Sequence, residues 1–219
     1  INPIIIPRSA RNNLKQVVHL SLEPVRINNG QDCMAADFLA VHKHVLESYV
    51  STLLTEVRKL KPGSNTDPNA GFTPLTMNKN FSDLKAYREK YFQYLRNPEA
   101  IFDESTKMVG PHVFVFPHKM FKEVELREHF APFFAIFEYD GAPQLKEIFR
   151  DERVQNKAMY ASILGDQKAS DDVDQARHLL RQERHTVFVN ESLFGDVHAN
   201  MPFGGRGTSA SMIVNTSYN

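Results

Sequence analysis

The sequence is poor in cysteine and has no excess of either charge. Cys33 is the single cysteine among 219 residues, which excludes an internal disulfide framework and a zinc site built from cysteines. One cysteine is also what a reducing, intracellular compartment permits. The 26 basic residues equal the 26 acidic residues, so no net positive field favours nucleic acid as the main partner.

Long apolar runs are also missing. The longest, "HVFVFP" and "APFFAIF", are much shorter than the roughly 20 residues that a helix needs to cross a bilayer. No basic segment followed by an apolar stretch opens the chain, so we expect a soluble, cytoplasmic protein without a membrane segment. The chain begins inside an apolar run, "INPIIIP", without an initiator methionine, which we interpret as the cut end of a longer parent.

Strand and helix patterns alternate along most of the chain. With 42% hydrophobic residues, the chain can bury one large core. Apolar spacing predicts a helix over 9–22 with Ser9 as its N-cap, and a long loop over 61–80 separates two further helices. The strand patterns are "NPIIIP", "DFLAVH", "HVFVFP", "FFAIFEYD", "AMYASILGD" and "HTVFVNES". Strands separated by helices predict a three-layer αβα fold with a mostly parallel sheet covered on both faces.

Cys33 follows an Asn-Gly turn in "NNGQDC". A thiolate attacks carbonyl carbon, and free backbone N–H groups in an adjacent turn can lower the pKa of the thiol and bind the oxyanion that forms. A lone cysteine is more commonly an inert, buried apolar residue. No general base is found next to Cys33 in the sequence, so the residue type alone leaves open whether Cys33 is a nucleophile or an inert buried residue.

Two further segments offer candidate ligand contacts. In "EHFAPFF", Glu128 can accept hydrogen bonds from ribose hydroxyls and Phe130 can stack on a planar ring, although a solvated glutamate and a core phenylalanine are the plainer interpretations. The "PFGGRG" turn at 202–207 allows close backbone approach, or is a purely structural turn. The histidines have no carboxylate pair or cysteine cluster near them in sequence, so we predict no metal site.

In order and spacing, these motifs resemble the catalytic domain of the aldehyde dehydrogenase superfamily over the whole chain. "NPIII" is followed by "NNGQDCMAAD", which is similar to the family's N-x-G-Q-x-C-x-A-x-[RD] segment. "KPGSNTDPNAGFTPL", "EHFAPFF", "VFVNES" and "MPFGGRGTSAS" follow in the family's order. This chain has Asp37 where many members have arginine, which makes it look more like the fatty- and aromatic-aldehyde branch of the family.

The resemblance implies a role for each matching residue. Cys33 would be the nucleophile that forms a thiohemiacetal and then a thioester. Glu128 would bind the nicotinamide-side ribose of NAD or NADP, and Phe130 would pack on the nicotinamide end. The residues implied to shape the site are Asn29, Gly30, Gln31, Pro202, Phe203, Gly204 and Gly205.

The resemblance also implies an assembly and a domain. Residues 1–219 would form one catalytic domain acting on an aldehyde, with the tail over about 208–219 as an oligomerisation strand of a homodimer or homotetramer. In the family, the general base lies in an E-L-G-G segment upstream of the position that matches Asn2-Pro3, as does most of the cofactor domain. We therefore expect the isolated chain to be inactive as a dehydrogenase.

Departures from the family pattern leave other functions open. Ala131 and Ala210 replace family glycines and add side chains beside backbone that normally packs closely. One alternative is a catalytically impaired member that serves as a structural or interaction protein. Another is a relative that releases the acyl group to coenzyme A, although no feature of the sequence selects it.

Overall fold

The structure is a computed structural model that describes residues 1–166, 171–183 and 185–195. Its strands are β1 (Pro3–Ile6), β2 (Phe38–His42), β3 (Phe102–Asp103), β4 (Met108–Val109), β5 (His112–Phe116), β6 (Phe133–Tyr139), β7 (Tyr160–Ile163) and β8 (Thr186–Val189). The α-helices are α1 (Leu14–Arg26), α2 (Lys43–Val57), α3 (Asn78–Lys90), α4 (Ala142–Phe149), α5 (Glu152–Gln155) and α6 (Asp171–Gln182). Short 3-10 segments cover Arg8–Asn13, Ile27–Gly30, Phe92–Tyr94 and His118–Met120.

A six-stranded sheet in the order β5-β6-β2-β1-β7-β8 organises the domain. Every pairing in it is parallel. Strand β1 lies between β2 and β7, so the strand order reverses at β1, as in doubly wound sheets. The expectation of a mostly parallel sheet is therefore confirmed. A separate two-stranded antiparallel pair joins β3 to β4.

The strands read as continuous apolar runs because both faces of the sheet are buried. In β1, Ile4 and Ile6 pack in one core while Ile5 packs in the other, as the two-residue period of a strand requires. Strand β2 divides in the same way, since Leu39 and Val41 share the core of Ile4. One alternating strand thus supplies two hydrophobic layers.

Helices cover both faces of the sheet, which completes the expected three layers. The core of Ile4 is closed by α1 and α2, for example through Val18 and Tyr49. The core of Ile5 is closed by α3, α4 and α6, which bury residues such as Leu84 and Ile148. In the described part of the chain, no helix is long and apolar enough to cross a membrane.

Some local predictions differ from the structure. Ser9 is not the N-cap of α1, because a 3-10 segment over Arg8–Asn13 precedes the helix and Ser9 Oγ donates to Asp172 Oδ1 over 3.0 Å. Helix α5 and the β3–β4 pair are too short for a periodic pattern to reveal. The predicted turn at 202–207 and the predicted oligomerisation strand at 208–219 lie outside the described residues.

Candidate active site

The candidate site residues meet at the amino edge of the sheet. The Cys33 segment leads into β2, the Glu128–Phe130 segment leads into β6, and Asn2 precedes β1. In a parallel sheet the amino ends of all strands lie on the same edge. Topology therefore brings together segments that are about a hundred residues apart in the chain.

A left-handed turn sets the position of the Cys33 segment. Asn28, Asn29 and Gly30 have φ angles of 48°, 57° and 70°, a region that asparagine and glycine tolerate better than other residues. The Gln31 N–H donates to the Asn28 carbonyl over 3.0 Å, and Asn28 Nδ2 donates back to the Gln31 carbonyl over 2.8 Å. The "NNG" sequence is thus suited to the reversal that precedes the cysteine.

Gly30 also allows the cysteine turn to contact the segment before β6. A Cβ atom at Gly30 would lie 2.5 Å from the Ala131 carbonyl oxygen and 2.8 Å from its carbon. These are backbone atoms that cannot move independently of Pro132 and β6. The structure therefore brings Gly30 together with Ala131, where the sequence departs from the family's glycine.

Cys33 is exposed, so its interpretation as a buried apolar residue is wrong. Nevertheless the pKa of its thiol is raised, first because partial loss of water disfavours the thiolate and second because the negative charge of Asp32 opposes it. Glu128 adds a smaller effect of the same sign. The local backbone lowers the pKa, as the turn suggested, but the raising effects outweigh it.

The carbonyl groups of the cysteine segment are fixed by Asn2, which sequence reasoning missed. Asn2 Nδ2 donates to the Cys33 carbonyl over 2.7 Å and to the Ala35 carbonyl over 3.1 Å. Its Oδ1 accepts from the Tyr160 N–H over 3.2 Å, which links the site to β7. The "NP" pair in the sequence could have drawn attention to Asn2, but only the fold shows which groups its side chain contacts.

Asp37 has a structural role beside the site. Its Oδ2 accepts from the Asn2 N–H over 2.6 Å, and its own N–H donates to the Asn2 carbonyl over 3.0 Å. Burial raises the pKa of this carboxyl, although the hydrogen bond from the Asn2 N–H acts in the opposite direction. Asp37 therefore joins the end of the cysteine segment to the start of β1.

Asn29 and Gln31 anchor the turn to the long loop. Asn29 Nδ2 donates to the Thr73 carbonyl over 2.6 Å. Gln31 Oε1 accepts from the Thr76 N–H over 2.9 Å and from Thr76 Oγ1 over 2.8 Å. Both residues thus support the site from outside, as site-shaping residues would.

Glu128 and Phe130 line a very small cavity together with Gly30 and Asp32. Glu128 is exposed and forms no ion pair with the described residues, while Phe130 is half-buried and has a positive φ of 49°. Asn80 Nδ2 donates to the Phe130 carbonyl over 3.2 Å, which holds that backbone in place. The side chains expected to contact a cofactor therefore lie on the same edge as Cys33. Pro202, Phe203, Gly204 and Gly205 lie outside the described residues.

Fold and site define the chain as a doubly wound α/β domain with an exposed cysteine on a turn at the amino edge of its sheet. Comparison with protein families identifies it further. The sequence model described as "Aldehyde dehydrogenase family" matches residues 1–217. This chain therefore belongs to the aldehyde dehydrogenase family.

Two curated relatives show the range of the similarity. The human mitochondrial 10-formyltetrahydrofolate dehydrogenase is 26% identical over 217 residues, which are 93% of this chain and 21% of that protein. A putative aldehyde dehydrogenase, AldX, of Bacillus subtilis strain 168 is 26% identical over 196 residues, 84% of this chain and 40% of that protein. The chain thus spans between about a fifth and two fifths of these relatives.

Solved structures confirm the fold. A bifunctional proline utilization A protein superposes with a TM-score of 0.79 at 21% identity, covering 97% of this chain and 21% of that one. A Thermus 1-pyrroline-5-carboxylate dehydrogenase with bound NAD superposes with a TM-score of 0.77 at 20% identity, covering 95% of this chain and 39% of that one. At such identities the likeness shows the shared architecture.

Proposed function

We propose that this chain is the catalytic domain of an NAD(P)-dependent aldehyde dehydrogenase that oxidises an aldehyde to a carboxylic acid, with Cys33 as the nucleophile that attacks the aldehyde carbon. The observation that carries the proposal is the exposure of Cys33 at the sheet edge that also presents Glu128 and Phe130. Family membership supports the reaction class.

The chain's own groups suit the first chemical step. The Cys33 thiolate would attack the carbonyl carbon, and the π electrons would move to oxygen to give a thiohemiacetal oxyanion. No acceptor in another described residue takes a hydrogen bond from the Cys33 N–H, so this donor is available to the oxyanion. Loss of hydride from that carbon leaves a thioester, and attack by water releases the carboxylic acid and restores the thiol.

The described residues fit the nicotinamide end of a cofactor. Glu128 is an exposed carboxylate that can accept hydrogen bonds from ribose hydroxyls, and Phe130 offers part of its ring beside Gly30. When bound, NAD or NADP supplies the hydride acceptor for the reaction. The structure of a Thermus relative with bound NAD supports this choice of cofactor class.

The raised pKa of the thiol implies that Cys33 needs a base. An ordinary cysteine is mostly thiol at neutral pH, and here loss of water and the charge of Asp32 both disfavour the thiolate further. We expect the base to come from a segment of the parent protein that precedes Asn2, and we expect the isolated chain to be inactive as a dehydrogenase.

Aldehyde-dependent reduction of the cofactor tests the proposal. A parent protein that contains residues 1–219 is mixed with NAD or NADP and with short, long and aromatic aldehydes, and absorbance of the reduced cofactor is followed. We expect turnover with at least one aldehyde and loss of turnover in Cys33→Ser. Cys33 is a small exposed side chain, so this variant should fold. No reduction with any aldehyde and either cofactor would overturn the proposal.

A second candidate is a catalytically impaired member that acts as a structural or interaction protein. The raised pKa of Cys33 and the alanine at position 131, which replaces a family glycine, favour it. Alkylation of the parent by iodoacetamide distinguishes the two candidates. A thiol no more reactive than free cysteine favours the impaired member, whereas a faster thiol favours catalysis. Adding coenzyme A to the aldehyde assay reports on the acyl-transfer alternative.

The assembly of the parent also remains a proposal. We expect a homodimer or homotetramer that uses residues 208–219, in a cytoplasmic protein without nucleic acid as partner. Sedimentation of the parent and of a variant with multiple polar substitutions in 212–214 tests this. Equal mass for the two proteins would contradict an oligomerisation role for the tail.

A further inference from the structure

A second cavity lies at the opposite edge of the sheet from Cys33. The residues that line it follow the strands: Arg8 to Asn12 come after β1, His42 ends β2, Tyr139 ends β6, and Asp172 is in α6, which follows β7. It therefore lies at the carboxyl edge, beside the strand where the order reverses. In open α/β sheets, crevices at this position commonly bind ligands.

The cavity has the size of a small-molecule site. Its volume is about 490 Å³, within the usual range for ligand pockets of about 300 to 1,000 Å³. Helices α4 and α6 supply apolar walls through Leu145, Ala176 and Leu179. The apolar part of a ligand can be buried against these side chains.

Two cavity-lining side chains, Tyr139 and His42, have polar atoms that lack a partner among the described residues. Tyr139 is 2% exposed, and its hydroxyl forms no hydrogen bond with the described residues. His42 is 9% exposed, and its Nδ1 accepts from the His44 N–H over 3.2 Å, which leaves Nε2–H as a donor. The rings are 5.2 Å apart and nearly perpendicular. Because both residues line the cavity, these two donors are available to a bound molecule.

The charges around the cavity favour an anion. Arg8, Arg11 and Lys146 line it, and none of them forms an ion pair with the described residues. Asp172 is the acidic residue among the described lining residues, and its carboxylate accepts from the Ser9 N–H and from Ser9 Oγ, both over 3.0 Å. The cavity is thus lined by three positively charged side chains that have no ion pair with the described residues, and by one carboxylate that already accepts hydrogen bonds.

We propose that this carboxyl-edge cavity binds a small organic anion with an apolar body, such as an aryl phosphate or aryl carboxylate. The anionic group would contact the arginines, since guanidinium groups form paired hydrogen bonds with such anions. The apolar body would lie against Leu145 and Leu179, and the Tyr139 hydroxyl and His42 Nε2–H would donate to ligand oxygens. The site is separate from Cys33 and independent of the aldehyde reaction.

Calorimetric titration with phenyl phosphate and benzoate tests the proposal. We expect saturable binding of one molecule per chain for at least one of them. Inorganic phosphate, which lacks the apolar body, and benzyl alcohol, which lacks the charge, should bind about tenfold more weakly or not at all. Failure of both aryl anions to saturate, or equal binding of inorganic phosphate, would overturn it.

Variants locate the bound anion. The double variant Arg8→Gln/Arg11→Gln should weaken binding about tenfold, as expected for loss of charge-assisted hydrogen bonds, and Tyr139→Phe should weaken it less. Arg58→Gln changes an exposed arginine that pairs with Glu99 elsewhere, so binding should be unchanged. If Tyr139→Phe lowers the melting temperature without ligand, its weaker binding could reflect lost stability, and the test then rests on the arginine variants. Equal affinities for Arg8→Gln/Arg11→Gln and the unaltered chain would refute the site.

The lone cysteine provides a further check on location. Alkylation of Cys33 should proceed at the same rate with and without saturating phenyl phosphate, because the two sites lie at opposite edges of the sheet. Protection of the thiol by phenyl phosphate would mean that the anion binds at the cysteine edge instead. This readout does not require aldehyde oxidation, so it can fail or succeed independently of the proposed function.

Discussion

At the scale of single residues, the surroundings of Cys33 oppose its ionisation. A cysteine becomes reactive when its pKa is lowered, yet burial and the Asp32 charge raise it here. Asp32 also holds the local turn, because its Oδ1 accepts from the Met34 N–H over 2.8 Å. The same carboxylate thus orders the segment and suppresses the thiolate.

Asp32→Asn should speed the alkylation of Cys33. Asparagine keeps an oxygen that can accept from the Met34 N–H but removes the charge that raises the thiol pKa. The rate of reaction with iodoacetamide, measured from pH 6 to pH 10, should rise by a small factor near neutral pH and its midpoint should move to lower pH. Asp67→Asn, in the exposed loop, serves as the control. An unchanged profile would show that Asp32 does not set the pKa.

Asn2→Ala should destabilise the chain by about 3 kcal/mol. It removes the hydrogen bonds to the part-buried Cys33 and Ala35 carbonyls and the buried hydrogen bond from the Tyr160 N–H, and loss of a buried hydrogen-bond partner costs about 1 to 3 kcal/mol. Urea unfolding measures the loss. Asn12→Ala removes one exposed hydrogen bond to Asp166 and should change stability by less than about 0.5 kcal/mol. Similar losses for both variants would argue against the buried network.

At the scale of elements, the site depends on contacts between segments that the chain separates. Gly30 touches Ala131, Asn29 reaches Thr73, and Gln31 reaches Thr76. Two segments, the long loop and the segment before β6, therefore support one cysteine turn. The strand and helix patterns predicted that these loops exist, but a pattern in one segment carries no information about which other segment it touches.

Gly30→Ala should cost about 3 kcal/mol, since the alanine would combine a left-handed backbone with a clash against the Ala131 carbonyl. Asn28→Ala also places alanine at positive φ, but on an exposed residue whose side chain bonds to Gln31. Its cost should be about 1 kcal/mol. Denaturant unfolding of the two variants separates backbone strain from close approach. Equal costs would mean that the contact with Ala131 is not restrictive.

At the scale of the whole molecule, buried neutral histidines make stability depend on pH. His129 packs against the rings of Tyr87 and Phe133, and loss of water lowers its pKa to about 3. Burial also lowers the pKa of His112 to about 4. A histidine with a lowered folded pKa stabilises the fold above its unfolded pKa of about 6.5, and this contribution is lost as pH falls towards the folded value.

A buried neutral histidine lowers the free energy of unfolding by about 1.4 kcal/mol for each pH unit below its unfolded pKa of about 6.5. His129→Phe should therefore reduce the loss of stability between pH 7 and pH 5 by about 2 kcal/mol. Phenylalanine suits the aromatic surroundings, and His129 forms no hydrogen bond with the described residues. Unfolding free energies at the two pH values test this. His19→Gln, at an exposed position, serves as the control for removal of a histidine. If stability depended on pH in His129→Phe as it does in the unaltered chain, His129 would not be a buried neutral histidine.

The sequence by itself determined the layers of this protein and the family to which it belongs. Apolar runs such as "PIII" and "FFAIFEY" specify buried strands because a parallel sheet hides both faces from water. Its motifs also identified Cys33, Gly30 and Glu128 as residues to examine. Short elements such as β3 and β4 escaped prediction, since two residues carry no periodicity.

Only the tertiary structure decided which residues share an edge and how they affect one another. Strand order places Asn2, Cys33 and Glu128 at the amino edge and Arg8, His42 and Tyr139 at the carboxyl edge. The smaller contribution of Glu128 to the raised pKa of Cys33 and the role of Asn2 follow from these juxtapositions. The physical reason is that hydrogen bonding, loss of water and charge repulsion act over a few ångströms in space, regardless of separation along the chain.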